Sequence, residues 1–387
     1  MRKNPVALLI ALLAFPIPAF ADVWDMPALK KTIVEPSWGE TTNGVKEVYY
    51  PGEKYQGKAT RVFAYYGKPE GKGPFPTMLL VHGGGGKAFP NWVKHWVGRG
   101  YCALAMDLAG NGPKGRLPDG GPGQGDDTKF KNFNNGPQTD MWTYQAVAAI
   151  VRGHNLLKSF SEVDTNRVGV TGISWGGYLT CIVAGLDDRL KAAVPVYGCG
   201  FLQDNSAWKA NYFDKMDPAT RDKWVKAFDP SQYLPGVKCP IMFLNGTNDF
   251  AYPLDSYLKC FNLVKSEKIL SVRVRLPHGH IWTFKEVDTF IDSHLKGEKP
   301  LVALTSMIVT DSKVFIQFPA PVKVVKGQLH YALAEGPWQK REWKTLPAEI
   351  EVGKVSAPLP KQKPLVFFLS VVDERGVETS SPHQVRE

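Results

Sequence analysis

The stretch Thr171-Gly172-Ile173-Ser174-Trp175-Gly176-Gly177 constrains this chain more than any other, because of what flanks it. A β-branched and aliphatic run from Arg167 to Val170 leads in, and a helix-like run from Tyr178 to Leu186 leads out. Strand, sharp turn carrying Gly-x-Ser-x-Gly, then helix is the setting of a nucleophile elbow. The glycines suit a turn so tight that a Cβ has no room. Ser174 is expected at its tip, with Oγ exposed above the positive end of the following helix. Alone the match is weak, since a glycine-rich turn in an ordinary Rossmann-like sheet reads the same way. The weight comes from the order of its partners.

A serine hydroxyl needs a base within hydrogen-bond reach, and the base needs an acid to fix its tautomer. Downstream, Cys239 to Leu244 reads as a short buried strand running into Asn245-Gly246-Thr247-Asn248-Asp249. Leu270 to Leu276 alternates as a further strand and ends in Pro277-His278-Gly279-His280. Phe284, Val287, Phe290, Ile291 and Leu295 then keep helical spacing. Serine, acid and histidine thus each follow a strand, and in a parallel sheet such loops share one edge. Asp249 is the expected acid, and Asp255, inside the next helix, the weaker competitor. His280 is the expected base, because Gly279 lets the loop bend back toward the serine and a helix follows at once. His278 is left to pack or bond locally. The other histidines, including His95 and His154 on helix-like stretches, read as surface or structural.

A site for a negative oxygen is also on offer. The apolar strand Pro76 to Val81 ends in His82 and four glycines, Gly83 to Gly86, whose N–H groups can face a ligand with no side chains in the way. The N–H groups of Gly84 and Trp175 are expected to hold the oxyanion of a tetrahedral intermediate, such donors contributing about 3–4 kcal/mol each. His82 is expected to brace the loop. A phosphate-binding loop is excluded, because Lys87 precedes Ala88 rather than Ser or Thr. Trp142, Tyr197, Phe201 and Trp282 are expected to line the pocket, against the general tendency of aromatic residues to serve the core.

His82-Gly-Gly-Gly-Gly, Gly172-Ile-Ser-Trp-Gly, Asn245-Gly-Thr-Asn-Asp249 and Gly279-His280, in that order, resemble the α/β-hydrolase superfamily. More narrowly they are similar to its acetyl xylan esterase, dienelactone hydrolase and prolyl-oligopeptidase-like branch. The resemblance covers about residues 45 to 297. It implies a mostly parallel sheet with helices on both faces, Ser174 as nucleophile, Asp249 as acid and His280 as base. Dienelactone hydrolases proper carry cysteine at the elbow, where this chain has Ser174. The branch holds esterases and peptidases alike, so the resemblance leaves the substrate open.

Residues 1–21 read as a secretory signal: Arg2 and Lys3, an apolar run from Val6 to Phe15, then Ala19-Phe20-Ala21 before Asp22. A secreted or periplasmic protein follows. The run is shorter than the roughly 20 apolar residues of a membrane span and is broken by Pro16 and Pro18. Of the 5 cysteines, Cys102 and Cys181 read as small core residues, and Cys239 and Cys260 could meet. No spacing suggests zinc, and no cofactor is called for. The net charge of +10 is scattered rather than blocked. Such a charge can draw a protein toward acidic polysaccharide or anionic surfaces, but scattered in this way it reads first as a solvated surface, and nucleic-acid binding is not indicated.

The chain divides into a catalytic α/β domain over 22–297 and a small β-sandwich of immunoglobulin or fibronectin type over 300–387. The lead-in strands are Lys46 to Tyr50 and Thr60 to Tyr66, and Tyr101 to Met106 is a central one whose following Asp107 braces loops. Between Gly110 and Asp140 lies a long insert with eight glycines and four prolines, read as a wall or lid of the cleft or as a surface excursion. Beyond Pro300, Met307 to Val309, Lys313 to Phe318, Gln328 to Ala332 and Leu365 to Val372 read as strands. Tyr331, Trp338 and Trp343 there could stack on sugar.

Three functions compete. The first is a secreted serine esterase acting on a small ester or acylated carbohydrate, acetyl groups on polysaccharide in particular. The second is a peptidase of the prolyl-oligopeptidase-like branch, although only about 50 residues precede the sheet, too few for a propeller of ~40–50-residue blades. The third is a carbohydrate-binding protein on a lapsed hydrolase scaffold, which an intact serine, acid and histidine set argues against.

Overall fold

A computed structural model describes residues 23–304, 307–319 and 321–387. The expected signal segment lies outside them. After the short helix α1 (Met26–Lys31) come strands β1 (Ser37–Thr42), β2 (Val45–Pro51), β3 (Arg61–Gly67) and β4 (Phe75–Val81), then helix α2 (Pro90–Gly98) and β5 (Cys102–Met106). A two-residue hairpin, β6 (Asn111–Gly112) and β7 (Gly115–Arg116), opens the long insert. There follow α3 (Trp142–Lys158), β8 (Val163–Ile173), α4 (Trp175–Leu186), β9 (Ala192–Val196), α5 (Pro218–Phe228), β10 (Ile241–Gly246), α6 (Leu254–Leu263), β11 (Lys268–Arg273) and α7 (Lys285–Leu295).

Across the sheet the order is β1-β2-β3-β5-β4-β8-β9-β10-β11. The first three strands pair antiparallel, and β5 through β11 run parallel. The parallel strands are apolar on both faces because both are covered. In β4 and β10, Leu79, Val81, Ile241 and Phe243 pack with Val147, Ile150, Leu179 and Tyr257 of α3, α4 and α6. The alternate residues Met78, Leu80, Met242 and Leu244 pack with Trp92, Trp96, Val287 and Phe290 of α2 and α7. The order reverses around β4, so the loops after β4 and β8 lie side by side where a ligand crevice is expected. Among the described residues no helix is long and apolar enough to cross a membrane.

The strand-rich C-terminal region comprises β12 (Met307–Val309), β13 (Lys313–Gln317), β14 (Val324–Leu333), β15 (Lys344–Glu351), β16 (Lys354–Pro358), β17 (Leu365–Asp373), β18 (Glu378–Ser380) and β19 (Gln384–Arg386). One antiparallel layer runs β12-β13-β16-β15; the other runs β15-β14-β17, with β18 and β19 on the far side of β17. Between them lie Val314, Ile316, Leu329, Val355, Phe367 and Leu369. The two units share backbone. Leu270 of β11 pairs antiparallel with Ser380 of β18, and the Val272 N–H donates to Ser380 Oγ at 2.8 Å. The loss of helical periodicity near residue 300 therefore marks a change of architecture across which the sheet continues.

The insert between Gly110 and Asp140 is tied down. Arg116 donates to the Ala109 carbonyl at 2.6 Å and Arg61 to Asp119 at 2.6 Å. Phe130 and Phe133 are buried in the main core, with Phe130 stacked 4.6 Å from Tyr212. All five cysteines are buried and unbridged, so Cys239 and Cys260 do not pair.

Candidate active site

Ser174 stands between β8 and α4 at φ 59°, ψ −121°, a conformation that costs a non-glycine residue energy and holds its side chain off the sheet edge. The sequence permits this turn because its flanking glycines accept contacts no side chain could. A Cβ on Gly172 would meet the Gly176 carbonyl oxygen at 2.3 Å, and one on Gly176 would meet that of Val81 at 2.1 Å.

His278 Nε2 lies 2.9 Å from Ser174 Oγ, and His278 Nδ1 lies 2.7 Å from Asp249 Oδ2. Asp249 is only 3% exposed. Its other oxygen accepts from the N–H groups of Ala251 at 2.9 Å and Tyr252 at 2.7 Å, which fixes the carboxylate facing the imidazole. Asp255 instead accepts from the Asn205 amide, away from the serine.

The expected base, His280, is not at the serine. Its Nε2 accepts from the Gly83 N–H at 3.0 Å, and its ring lies 5.1 Å from that of Phe89. The cause is the end of β11: the strand stops at Arg273 rather than Leu276, and Arg275 turns through φ 53°. The loop thus reaches the sheet edge earlier than the alternation suggests, and His278 arrives over Ser174. By position 280 the chain has moved on to the glycine loop. Burial lowers the His280 pKa, which suits an acceptor role.

The glycine loop sits against the elbow. A Cβ on Gly83 would meet the Ile173 carbonyl at 2.6 Å and Ser174 Cβ at 2.9 Å. The Gly83 N–H is taken by His280, that of Gly85 by Gln124 Oε1 at 3.0 Å and that of Gly86 by the Gly83 carbonyl at 3.1 Å. Those of Gly84 and of Trp175, the first helical residue of α4, have no partner among the described residues. His82 braces the loop as expected: Nε2 accepts from the Leu108 N–H at 2.8 Å while Nδ1 donates to the Gly83 carbonyl at 2.8 Å. Burial pushes its pKa down to about 4. Asp107 likewise serves its own loop, accepting from Ala109 and Asn111.

Of the aromatic residues expected in the pocket, only Tyr197 touches the Ser174–His278–Asp249 set. It is fully buried, its ring is 4.4 Å from that of His278, and its hydroxyl donates to the Gly279 carbonyl. Trp142 is core, with Nε1 donating to the Leu108 carbonyl at 2.6 Å. Trp282 packs on Trp92, His95 and Trp96 of α2. Phe201, half-buried after β9, lies under the Lys259 ammonium at 5.4 Å. Three neighbours of the site went unnoticed in the sequence. Phe250 is 60% exposed with its ring 4.9 Å from that of His278. Lys129 is buried with its ammonium 4.5 Å from the Trp175 ring and 5.1 Å from that of Trp142. Gln124 reaches the glycine loop. Phe250, directly after the acid, was findable as an aromatic at a loop tip; Lys129 and Gln124 come from an insert with no periodicity to place them.

The acetyl xylan esterase (AXE1) family model matches residues 31–290 of this chain. The chain belongs to that family. Among curated relatives, acetyl esterase Axe7A of Xylanibacter ruminicola is 25% identical over 250 residues, 59% of this chain and 54% of the relative. The uncharacterized peptidase YuxL of Bacillus subtilis is 23% identical over 250 residues, 58% of this chain and 36% of the relative. The chain thus spans about half or less of the length of these relatives. An acetyl xylan esterase from a Paenibacillus species superposes with a TM-score of 0.58 at 22% identity, covering 70% of this chain and 92% of the other. Acetyl xylan esterase 1 from a Thermoanaerobacterium species gives 0.56 at 20% identity, covering 70% and 92%. These two structures bear on the fold, and family membership accounts for the α/β-hydrolase sheet found here. The family match ends before β12, so it leaves the β-sandwich unassigned.

Proposed function

We propose that this protein is an exported serine esterase that removes acyl groups, acetyl foremost, from carbohydrate. The observation that carries the reading is the His278 imidazole bonded to Ser174 on one side and Asp249 on the other. In this reading His278 Nε2 takes the Ser174 proton as Oγ attacks the ester carbonyl. The carbonyl oxygen, now negative, rests on the N–H groups of Gly84 and Trp175. His278 passes the proton to the departing sugar hydroxyl, leaving acyl-Ser174. Water then attacks with His278 again as base, which frees the acid and restores the serine. Asp249 keeps Nδ1 protonated and offsets the imidazolium charge, and no step calls for a cofactor.

Family membership and the name of the Xylanibacter relative support an acylated carbohydrate as substrate. The charged start, apolar run and Ala19-Phe20-Ala21 of the amino terminus support export. Labelling by a fluorophosphonate, lost in Ser174→Ala, together with turnover of 4-nitrophenyl acetate and none of a peptide anilide, is the expected result. Turnover of the anilide with no esterase activity would replace this reading by a peptidase. Absence of labelling in the native protein would leave a scaffold without catalysis.

A further inference from the structure

Lined in part by His278 opens a cleft of about 600 Å³ walled by both units of the chain. One wall is the acid and histidine loops, with Phe250, Arg275 and His278; the other is the turn between β14 and β15, with Lys340, Arg341 and Glu342. The walls are fastened together. Asn248, next to the acid, donates from Nδ2 to the Gln339 carbonyl at 3.0 Å and to that of Arg341 at 2.9 Å. The turn is therefore held in register with the catalytic loops.

The cleft's charges are unbalanced. Arg275, Lys340 and Arg341 line it, and none has a carboxylate within ion-pair distance among the described residues, the Asp255 carboxylate acting on Arg341 from farther off. Arginines elsewhere are commonly paired, as Arg375 is with Asp373 at 2.6 Å and Arg61 with Asp119 at 2.6 Å. The Arg341 guanidinium carbon lies 3.7 Å from the Trp338 ring centroid, with Nε and Nη1 buried and without a hydrogen-bond partner among the described residues, so the group is held rather than free to swing. Phe250, in the same lining, is an exposed aromatic residue, of a kind that suits the C–H face of a pyranose. Against three cations the lining offers one carboxylate besides Asp249, that of Glu342.

We propose that this interdomain cleft binds an anionic saccharide, and that Arg275, Lys340 and Arg341 select esters whose sugar part carries a carboxylate. The sugar bearing the acyl group leaves past His278, and a uronate on it or on the adjoining residue falls between these cations while its ring lies on Phe250. This rests on the esterase reading and adds to it the class of alcohol. It also gives the β-sandwich a place in recognition.

The test uses the full chain and the double substitution Arg275→Gln/Lys340→Gln, both positions lying at the cleft surface. Initial rates are compared on acetylated oligogalacturonide, acetylated xylo-oligosaccharide without uronate, and 4-nitrophenyl acetate. The expected result is about a tenfold fall in kcat/KM on the acidic substrate, carried by KM. The two neutral substrates should stay within about twofold, and the native preference should fade with added salt. Equal effects on acidic and neutral oligosaccharides, or none on either, would overturn the proposal. A binding measurement separates this from the esterase reading: Ser174→Ala protein should bind deacetylated oligogalacturonide more tightly than xylo-oligosaccharide, and the double substitution should remove the difference. Binding without preference for the uronate would refute the cleft assignment whatever the esterase assays give.

Discussion

At the scale of single residues, the two histidines of the Pro277–His280 loop hold different partners, His278 bonding Ser174 and Asp249 and His280 the Gly83 N–H. Replacing His278 by Ala should lower kcat on 4-nitrophenyl acetate by roughly 10⁴-fold, as replacing Ser174 should, because they act as a unit. His280→Ala removes only the brace on the Gly83 N–H, and a loss of about tenfold is expected. Equal losses at the two positions would contradict this division. Lys129 carries a different prediction. Burial depresses its pKa from 10.5 to about 8. An unfolded chain takes up that proton below about 10.5 and the folded one only below about 8, so this residue makes stability rise with pH between those values. Lys129→Met should therefore stabilise the fold at pH 7, by at most on the order of 3 kcal/mol. The gain in Tm should shrink as pH climbs through that window, and a pH-independent difference would remove burial as the cause.

At the scale of elements, most of the site was legible because parallel strands write themselves plainly: apolar runs such as Met78–Val81 and Ile241–Leu244, each closed by a polar or glycine-rich loop. The places of Ser174, Asp249 and the glycine loop followed from those strand ends. The histidine that meets Ser174 did not, because a two-residue choice depends on where β11 stops, and Leu276 continues the alternation although the backbone has already turned. Aromatic residues were misjudged for a related reason: composition does not say which way Trp142 or Trp282 points. The elbow's own demand is testable. In Gly176→Ala the added methyl has to sit 2.1 Å from a backbone oxygen that belongs to β4 and cannot swing aside. Destabilisation of about 3 kcal/mol or more is expected in urea unfolding, or failure to accumulate folded protein. A variant as stable as the parent would mean the turn is looser than described.

At the scale of the whole molecule, the sheet runs unbroken from the catalytic strands into the β-sandwich, so acid should weaken both units together. His82 in the first unit and His330 in the second are both buried with pKa values pushed down to about 4. His330 is further held between Thr345 at 2.8 Å and Ser370 at 2.9 Å. Each stays neutral in the fold yet takes a proton on unfolding below its ordinary value near 6.5, so stability falls as pH drops from about 6.5 to 4. A single cooperative transition whose midpoint falls over that range is expected by calorimetry. Two separated transitions would deny the coupling through β11 and β18. The sulfur chemistry has its own consequence. With every thiol sealed inside and no crosslink between them, the fold calls for neither a thiol oxidant nor a disulfide isomerase, and a reductant has nothing to cut. A thiol-reactive dye should stay silent on the native protein and report all five groups only once guanidinium has opened it.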